Sequence, residues 1–490
     1  MEARFRVPIW VVLLGAGLLM RWLFFERSFF FAHDQDLYSW IAKDIIVNGH
    51  QRLVGQITSV DGVFIGSFYY YVMAIFYRLF GMNPLSAIVP ITLISIFNIV
   101  SIYWVIKRNW GMRAGLIAAA IYAFSFGIAR FDRWSVPTLP TLTWSIWFWG
   151  VIMELGKGNL KWLPIYGFLV GFIWQLHIAL LPIVPLPILA FFVGKNKFSS
   201  LFDKNISRYV WGGILIFLIT ISPFFVFELK HNWSQVRSMA ASTQKDIGAP
   251  TGKMKLIKVI EASGREIQQR IVFDLKYSNN YVYWLMFIAI CGYLTWKKHI
   301  KWQEVGLMWG WIGLIMVAQF VSKRVVSEYY FTNTVPIVIA VMAIFLAKVI
   351  TKNAAILVIF LYLVINSYWL VTKTDEDQSY LYRRQVVEYI KADKEKNNYN
   401  CIAVNFIADP GVGVGFRYLF WYYGVDIVKP GSPGVPVYNI PIPWQLSRYE
   451  KPVSFGRFGV LKPVAGDYKA TEADCKNTSA QLDPLLGYTE

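Results

Sequence analysis

The stretch WLPIYGFLVGFIWQLHIALLPIVPLPILAFFVG, running from Trp162 to Gly194, decides the fold. These 33 residues contain no Asp, Glu, Lys or Arg, and Lys161 precedes them while Lys195 and Lys197 follow. One membrane-crossing helix needs roughly 20 apolar residues, so the stretch is too long for a single crossing. Basic residues collect on one side of a bilayer, and the two flanks therefore belong on the same side. The stretch reads as a helical hairpin, 162–177 and 178–194. Its turn falls at Gln175-Leu176-His177, which places those polar groups at the far membrane surface.

Working outward, further apolar runs suggest spans at 8–26, 84–106, 112–130, 137–155, 209–227, 281–296, 303–321, 331–347 and 354–372, eleven in all with the hairpin. The composition agrees, with 56% hydrophobic and 16% charged residues. The first run follows Arg4 and Arg6, lacks a small-residue cleavage site and precedes further spans, so it reads as a retained anchor. The connections on the N-terminal side carry Lys107, Arg108, Arg113, Lys157, Lys161, Lys204, Arg208, Lys297, Lys298, Lys301, Lys348 and Lys352. This bias predicts a multi-pass protein of the cell (cytoplasmic) membrane with a cytoplasmic N-terminus. The net charge of +18 is dispersed between spans and has no RNA- or DNA-binding motif around it, which argues against nucleic acid as a partner.

Three long segments then lie outside: 26–83, 228–280 and everything after 372. In the first, Asp36–Gly49 and Phe64–Phe80 read as helices lying in the membrane interface. The second is basic, contains Gly248-Ala249-Pro250 and is a candidate lid. The third is richer in Pro, Gly, Asp and Asn and reads as a small soluble domain, with a helix at Ser379–Lys396, a strand at Cys401–Phe406 and a loosely ordered tail after Pro463. The predicted fold class is an all-α polytopic membrane protein of about eleven transmembrane helices, residues 1–372, with a small α/β extracytoplasmic domain, residues 373–490. Cys291 lies within a span and reads as an inert buried thiol, whereas Cys401 and Cys475 share the outer segment, where a disulfide is an option.

Directly after the first span stands Phe31-Ala32-His33-Asp34-Gln35-Asp36-Leu37-Tyr38. A carboxylate partly withdrawn from water beside hydrocarbon is suited to general-base work or to holding a divalent cation. The plainer reading is that Asp34 caps the helix that follows. Arg130, Asp132 and Arg133, then Lys230 with His231, then Lys323 with Arg324, stand at span ends on the same side. They are candidates to bind phosphate or to meet headgroups. Gln175 and His177 at the hairpin turn need polar partners or a ligand. Glu328 and Tyr330 border the tenth span, and Tyr69, Tyr70 and Trp134 are candidates to border a sugar or lipid.

The run Asp34 to Ile45 with Asn48-Gly49 resembles the first outer loop of the GT-C superfamily of glycosyltransferases, in the protein mannosyltransferase and aminoarabinose transferase branch. Further resemblances follow in order: Gly66-Ser67-Phe68-Tyr69-Tyr70-Tyr71 with Phe80-Gly81-Met82-Asn83-Pro84, then Gln175-Leu176-His177, then Pro223 to His231, and lastly Gly415 to Tyr422. The resemblance implies Asp34 as the catalytic base. Together with the span-end residues above, the substrate-binding candidates are Asp36, Gln35, Tyr69, Tyr70, Arg130, Asp132, Arg133, Gln175, His177, Lys230, His231, Arg324 and Glu328. Many members have Glu where this chain has Gln35, which leaves the second acid function open. Some members require a divalent metal ion and others do not; Asp34 and Asp36 are the ligands if one binds. The implied partners are a polyprenyl-phosphate sugar donor, the lipid bilayer and a glycan, lipid or protein acceptor, with the C-terminal domain binding acceptor or covering the cavity. Two alternatives stay open, an oligosaccharide ligase or polymerase using a lipid diphosphate donor, and a lipid or sugar transporter (flippase).

Overall fold

The computed structural model describes residues 8–58, 60–194, 204–244, 250–272, 280–408, 415–447, 451–464 and 466–476. Arg4, Arg6, Lys195, Lys197 and the Gly248-Ala249 part of the expected lid lie outside these residues. A helix stands at each of the eleven apolar runs. Among the described residues, five helices are long and apolar enough to cross a membrane: Pro84–Trp110, Ser207–Lys230, Trp302–Val321, Glu328–Lys348 and Lys352–Thr372. A sixth is obtained if Met112–Phe124 and Phe126–Arg133 count together, although they bend by 56° at Ser125. The helices Ile9–Trp22, Leu160–Leu176 and Ile178–Val193 are apolar but shorter.

The helix Met112–Phe124 lies inside the bundle, where Ala118, Ala119, Ala120 and Ala123 are all buried. Small side chains let neighbouring helices come close where hydrocarbon offers no hydrophobic drive for association. The same device joins Leu163–Leu176 to Lys204–Lys230, where a Cβ on Gly167 would stand 2.0 Å from the carbonyl oxygen of Gly213. Between the helices Thr141–Gly156 and Trp302–Val321, Trp144 stacks on Phe148, and Trp311 meets Trp144, Phe148 and Trp149 edge to face.

The bend at Ser125 frees backbone groups that must find partners inside the bundle. Ser125 Oγ accepts from the Ile128 amide at 3.1 Å and donates to the Arg270 carbonyl, while the Phe126 amide donates to Asn366 Oδ1 at 2.8 Å. The expected span 137–155 starts later, at Thr141, because Pro137 and Pro140 hold residues 137–140 in a turn. This displaced turn becomes a wall of the site.

The first loop also differs from expectation. It contains the helix His33–Lys43, continued by a π-helical turn Asp44–Asn48, then an antiparallel hairpin of Val54–Ile57 and Phe64–Gly66, and the helix Phe68–Leu79. The start of the second expected interfacial helix is therefore a strand, with Phe64 packed on Phe227. The basic second loop holds two helices, Ser234–Gln244 and Gly252–Ile267. After Thr372 come the helix Tyr380–Lys396, with Ser379 at its N-cap, and a parallel three-stranded sheet in the order Ile427–Val428, Ile402–Ala408, Val437–Ile442. A hairpin, Val453–Phe455 with Phe458–Val460, completes the set, and Cys401 is bonded to Cys475.

Candidate active site

The helix His33–Lys43 begins at Ala32, whose amide is capped by Gln35 Oε1 at 3.0 Å. Capping thus falls to Gln35 and not to Asp34, correcting the plainer expectation. Asp34 occupies the first helical turn, where the helix dipole favours a carboxylate. Its Oδ1 accepts a hydrogen bond from Gln56 Nε2 at 3.2 Å. Gln56 is itself fixed by Tyr70, whose hydroxyl accepts from the Gln56 amide at 3.0 Å and donates to Gln56 Oε1 at 3.1 Å. Burial pushes the Tyr70 hydroxyl up, which keeps it a neutral phenol able to donate.

Asp34 opens onto a cavity of about 390 Å³. The hairpin contributes Gln56, Ile57, Thr58 and Ile65; the turn after Phe126–Arg133 contributes Trp134, Val136, Pro137 and Thr138. His177 and Tyr329 close it from two further helix breaks. Asp34 is the one carboxylate in this lining, and no Lys or Arg joins it among the described residues. His177 is extended, with φ −163° and ψ 131°, and its Nδ1 accepts from the Ala179 amide at 3.0 Å. In the neutral imidazole the proton then resides on Nε2, making that atom a donor. The His177 ring packs edge-on to Tyr330 and Tyr329, with centroids 5.3 and 5.9 Å away.

Of the residues singled out in the sequence, Asp34, Trp134 and His177 line this cavity. Gln35 is fully buried and clips the helix start to the wall, its amide donating to the carbonyls of Trp134 and Ser135 at 3.2 and 3.0 Å. Two carbonyl acceptors suit an amide, which donates, and not an ionised Glu. Tyr69 bonds Ser135 Oγ at 2.5 Å behind the wall. Gln175 accepts from the Phe68 amide at 3.1 Å and supports the second loop helix.

Asp36 faces away from Asp34, is buried, and accepts from the Tyr418 amide at 2.8 Å. Two residues apart on an α-helix correspond to a turn of roughly 200°, so the two carboxylates cannot close on one ion. Among the described residues no three His, Cys, Asp or Glu side chains stand together as a metal site. Burial outweighs the nearby positive charge of Arg383 and raises the Asp36 carboxyl to about 6.

The cationic candidates are placed elsewhere. Arg130 pairs with Glu376 at 2.5 Å. Asp132 is buried with Arg21, Nε to Oδ2 2.8 Å, and accepts from Ser95 at 2.9 Å. Arg133 donates to the carbonyls of Met20, Arg21 and Leu23, which end the first helix. These three residues knit the bundle and do not meet the cavity. Lys230 is exposed, and His231 stacks on Phe227 with Nδ1 2.8 Å from its carbonyl oxygen. The Arg324 carbonyl accepts from Lys255 Nζ at 2.6 Å, and Glu328 pairs with Arg265 at 3.0 Å, one residue from Tyr329.

No local cue in the sequence marks Gln56, Thr58, Thr138 or Tyr329 as site residues. Prolines 137 and 140 are the one available signal, since a helix that cannot begin until residue 141 leaves the preceding residues free to line a wall.

Residues 67–227 match the family described as dolichyl-phosphate-mannose-protein mannosyltransferase. The fold resembles that of ArnT from Cupriavidus metallidurans bound to undecaprenyl phosphate, with TM-score 0.57 and 11% identity over 94% of this chain and 99% of that one. The same protein in the apo state gives 0.55 at 11% identity and the same coverage. The Archaeoglobus fulgidus oligosaccharyltransferase in complex with Zn and sulfate gives 0.47 at 12% identity, over 89% of this chain and 68% of that one. No curated protein matches the chain in sequence. A family match over residues 67–227 thus lies within a helical fold that is similar to that of ArnT over nearly the whole length of the chain.

Proposed function

We propose that the protein transfers a monosaccharide from a polyprenyl-phosphate carrier to an acceptor hydroxyl or amine on the extracytoplasmic face, with Asp34 as the base. The observation that carries this reading is the lone Asp34 carboxylate, oriented by Gln56, opening onto a cavity walled by Trp134, Tyr329 and His177. Asp34 takes the acceptor's proton as the acceptor attacks the anomeric carbon; the bond from that carbon to the phosphate oxygen breaks, and the carrier phosphate leaves with the electron pair. The aromatic walls offer flat apolar faces to a sugar ring, and His177 Nε2 offers a proton to an oxygen.

About 390 Å³ is near the lower end of the range for small-molecule pockets, which favours a monosaccharide over the long glycan of a lipid diphosphate donor. The choice of carrier draws on the ArnT structure, which holds undecaprenyl phosphate. The departing phosphate requires a cation, and the rim beside Tyr329, with Arg265 and the Lys323-Arg324 pair, is where we place it. The Cys401–Cys475 disulfide supports an oxidising compartment, hence an extracytoplasmic C-terminal domain over residues 373–490. The test is transfer from a labelled polyprenyl-phosphate sugar by the purified protein. Replacing Asp34 by Asn lowers turnover by roughly 10² to 10⁴ while donor binding persists. Near-normal turnover in that variant refutes the assignment.

A further inference from the structure

Among the described residues, none of the C-terminal segment lines the cavity, yet that segment grips the helix bearing Asp34 from behind. Gly415 adopts φ +59°, and a Cβ there would stand 2.5 Å from both the carbonyl carbon and oxygen of Ala32. That Ala32 oxygen accepts the Asp36 amide at 2.9 Å, the bond that opens the helix. Three residues on, the Tyr418 amide donates to Asp36 Oδ1 at 2.8 Å, and the Tyr418 hydroxyl donates to the Met82 carbonyl at 2.6 Å. Arg383, buried between the rings of Phe416 and Phe458 at 4.8 and 4.5 Å, supplies positive charge toward Asp36. Just upstream, Phe30 and Ser379 form a β-bridge, and the Tyr380 amide donates to the Phe29 carbonyl at 2.9 Å.

Apart from the bond to Met82, these contacts bear on residues 29–36, and Asp34 projects from the opposite face of the same helical turn. From this juxtaposition we infer that Asp36 is a positioning residue that latches the C-terminal segment onto the helix start, so that docking of the segment sets the place of Asp34 in the cavity. The inference rests on the reading of Asp34 as base. It differs from a substrate-binding role for Asp36 and from a C-terminal domain that covers the cavity or holds the acceptor.

The test uses the full chain in nanodiscs, with turnover of a labelled polyprenyl-phosphate sugar and amide hydrogen exchange over residues 416–422. Asp36→Leu removes the acceptor of the Tyr418 amide, and Gly415→Ala drives a methyl group into the Ala32 backbone. In both, exchange over 416–422 rises about tenfold or more. Turnover per folded enzyme drops roughly 100-fold, as expected for a base displaced by about 1 Å, while donor KM stays within about threefold. Asp36→Asn, which keeps an oxygen for the Tyr418 amide, recovers both readouts.

Faster exchange with unchanged turnover overturns the coupling. A KM that rises as turnover falls overturns positioning in favour of substrate contact, and unchanged exchange in Asp36→Leu overturns the latch itself. Asp34→Asn separates the two readings: its exchange over 416–422 stays at the wild-type rate, whatever its turnover says about the base.

Discussion

Gln56 offers the sharpest test of how Asp34 is held. Replacing it with Leu keeps the side chain's bulk but removes two hydrogen bonds, the 3.2 Å bond to Asp34 and the 3.1 Å bond from the Tyr70 hydroxyl. The backbone bond from residue 56 to Tyr70 persists at 3.0 Å, so the hairpin stays attached and Tyr70 loses only the acceptor for its proton. A bond to a charged group contributes about 1.5–3 kcal/mol, and 3.2 Å lies at the long end of the useful range, which argues for the lower figure. About 1.5 kcal/mol corresponds to roughly a tenfold loss of kcat/KM. The loss of the Tyr70 bond adds about 1 kcal/mol of destabilisation. The assay is steady-state transfer from a labelled polyprenyl-phosphate sugar, normalised to folded protein by gel filtration. If Gln56→Leu turns over at the wild-type rate in a preparation where Asp34→Asn is inactive, the amide does not orient the carboxylate and this account of the site fails.

Other expectations follow from the same geometry. Breaking the buried Arg21–Asp132 pair with Asp132→Asn destabilises the bundle by about 3–5 kcal/mol; thermal unfolding in detergent shows it, and an intact melting curve with weakened donor binding would restore Asp132 to the substrate site. The Asp36 carboxyl, raised by burial to about 6 from 3.8, binds its proton more tightly when folded than when unfolded. Its contribution is fully present below the unfolded value and is lost as pH climbs to about 6, so wild type loses stability relative to Asp36→Asn between those values. Paired melts at both ends of this window measure the slope, and parallel curves contradict it. After denaturation without reductant, alkylation labels one thiol, Cys291, and after reduction three; three labels without reduction rule out the Cys401–Cys475 bond.

Apolar periodicity made the helices legible, because a bilayer imposes length and composition on any segment that crosses it. The break at His177 was legible for a local reason, a polar group in an apolar run, and the helix expected at Ser379–Lys396 is found at Tyr380–Lys396. The charged candidates, which the structure places away from the cavity lining, were ambiguous for a related reason. Arg133, Asp132 and Arg130 sit at a span end, where ligand contact, headgroup contact and helix capping share the same residue types, and only the partners distinguish them.

Sequence alone determined that this chain builds a bundle of apolar helices and that a carboxylate, Asp34, stands where the first of them ends. Those properties depend on hydropathy and adjacency along the chain. Tertiary structure decided which of two neighbouring carboxylates meets a cavity and which is buried against the C-terminal segment, since residues two apart on a helix diverge whatever their chemistry. It also decided the cavity walls, because Gln56, Thr138, His177 and Tyr329 are brought together by helix breaks and a hairpin far apart in the chain.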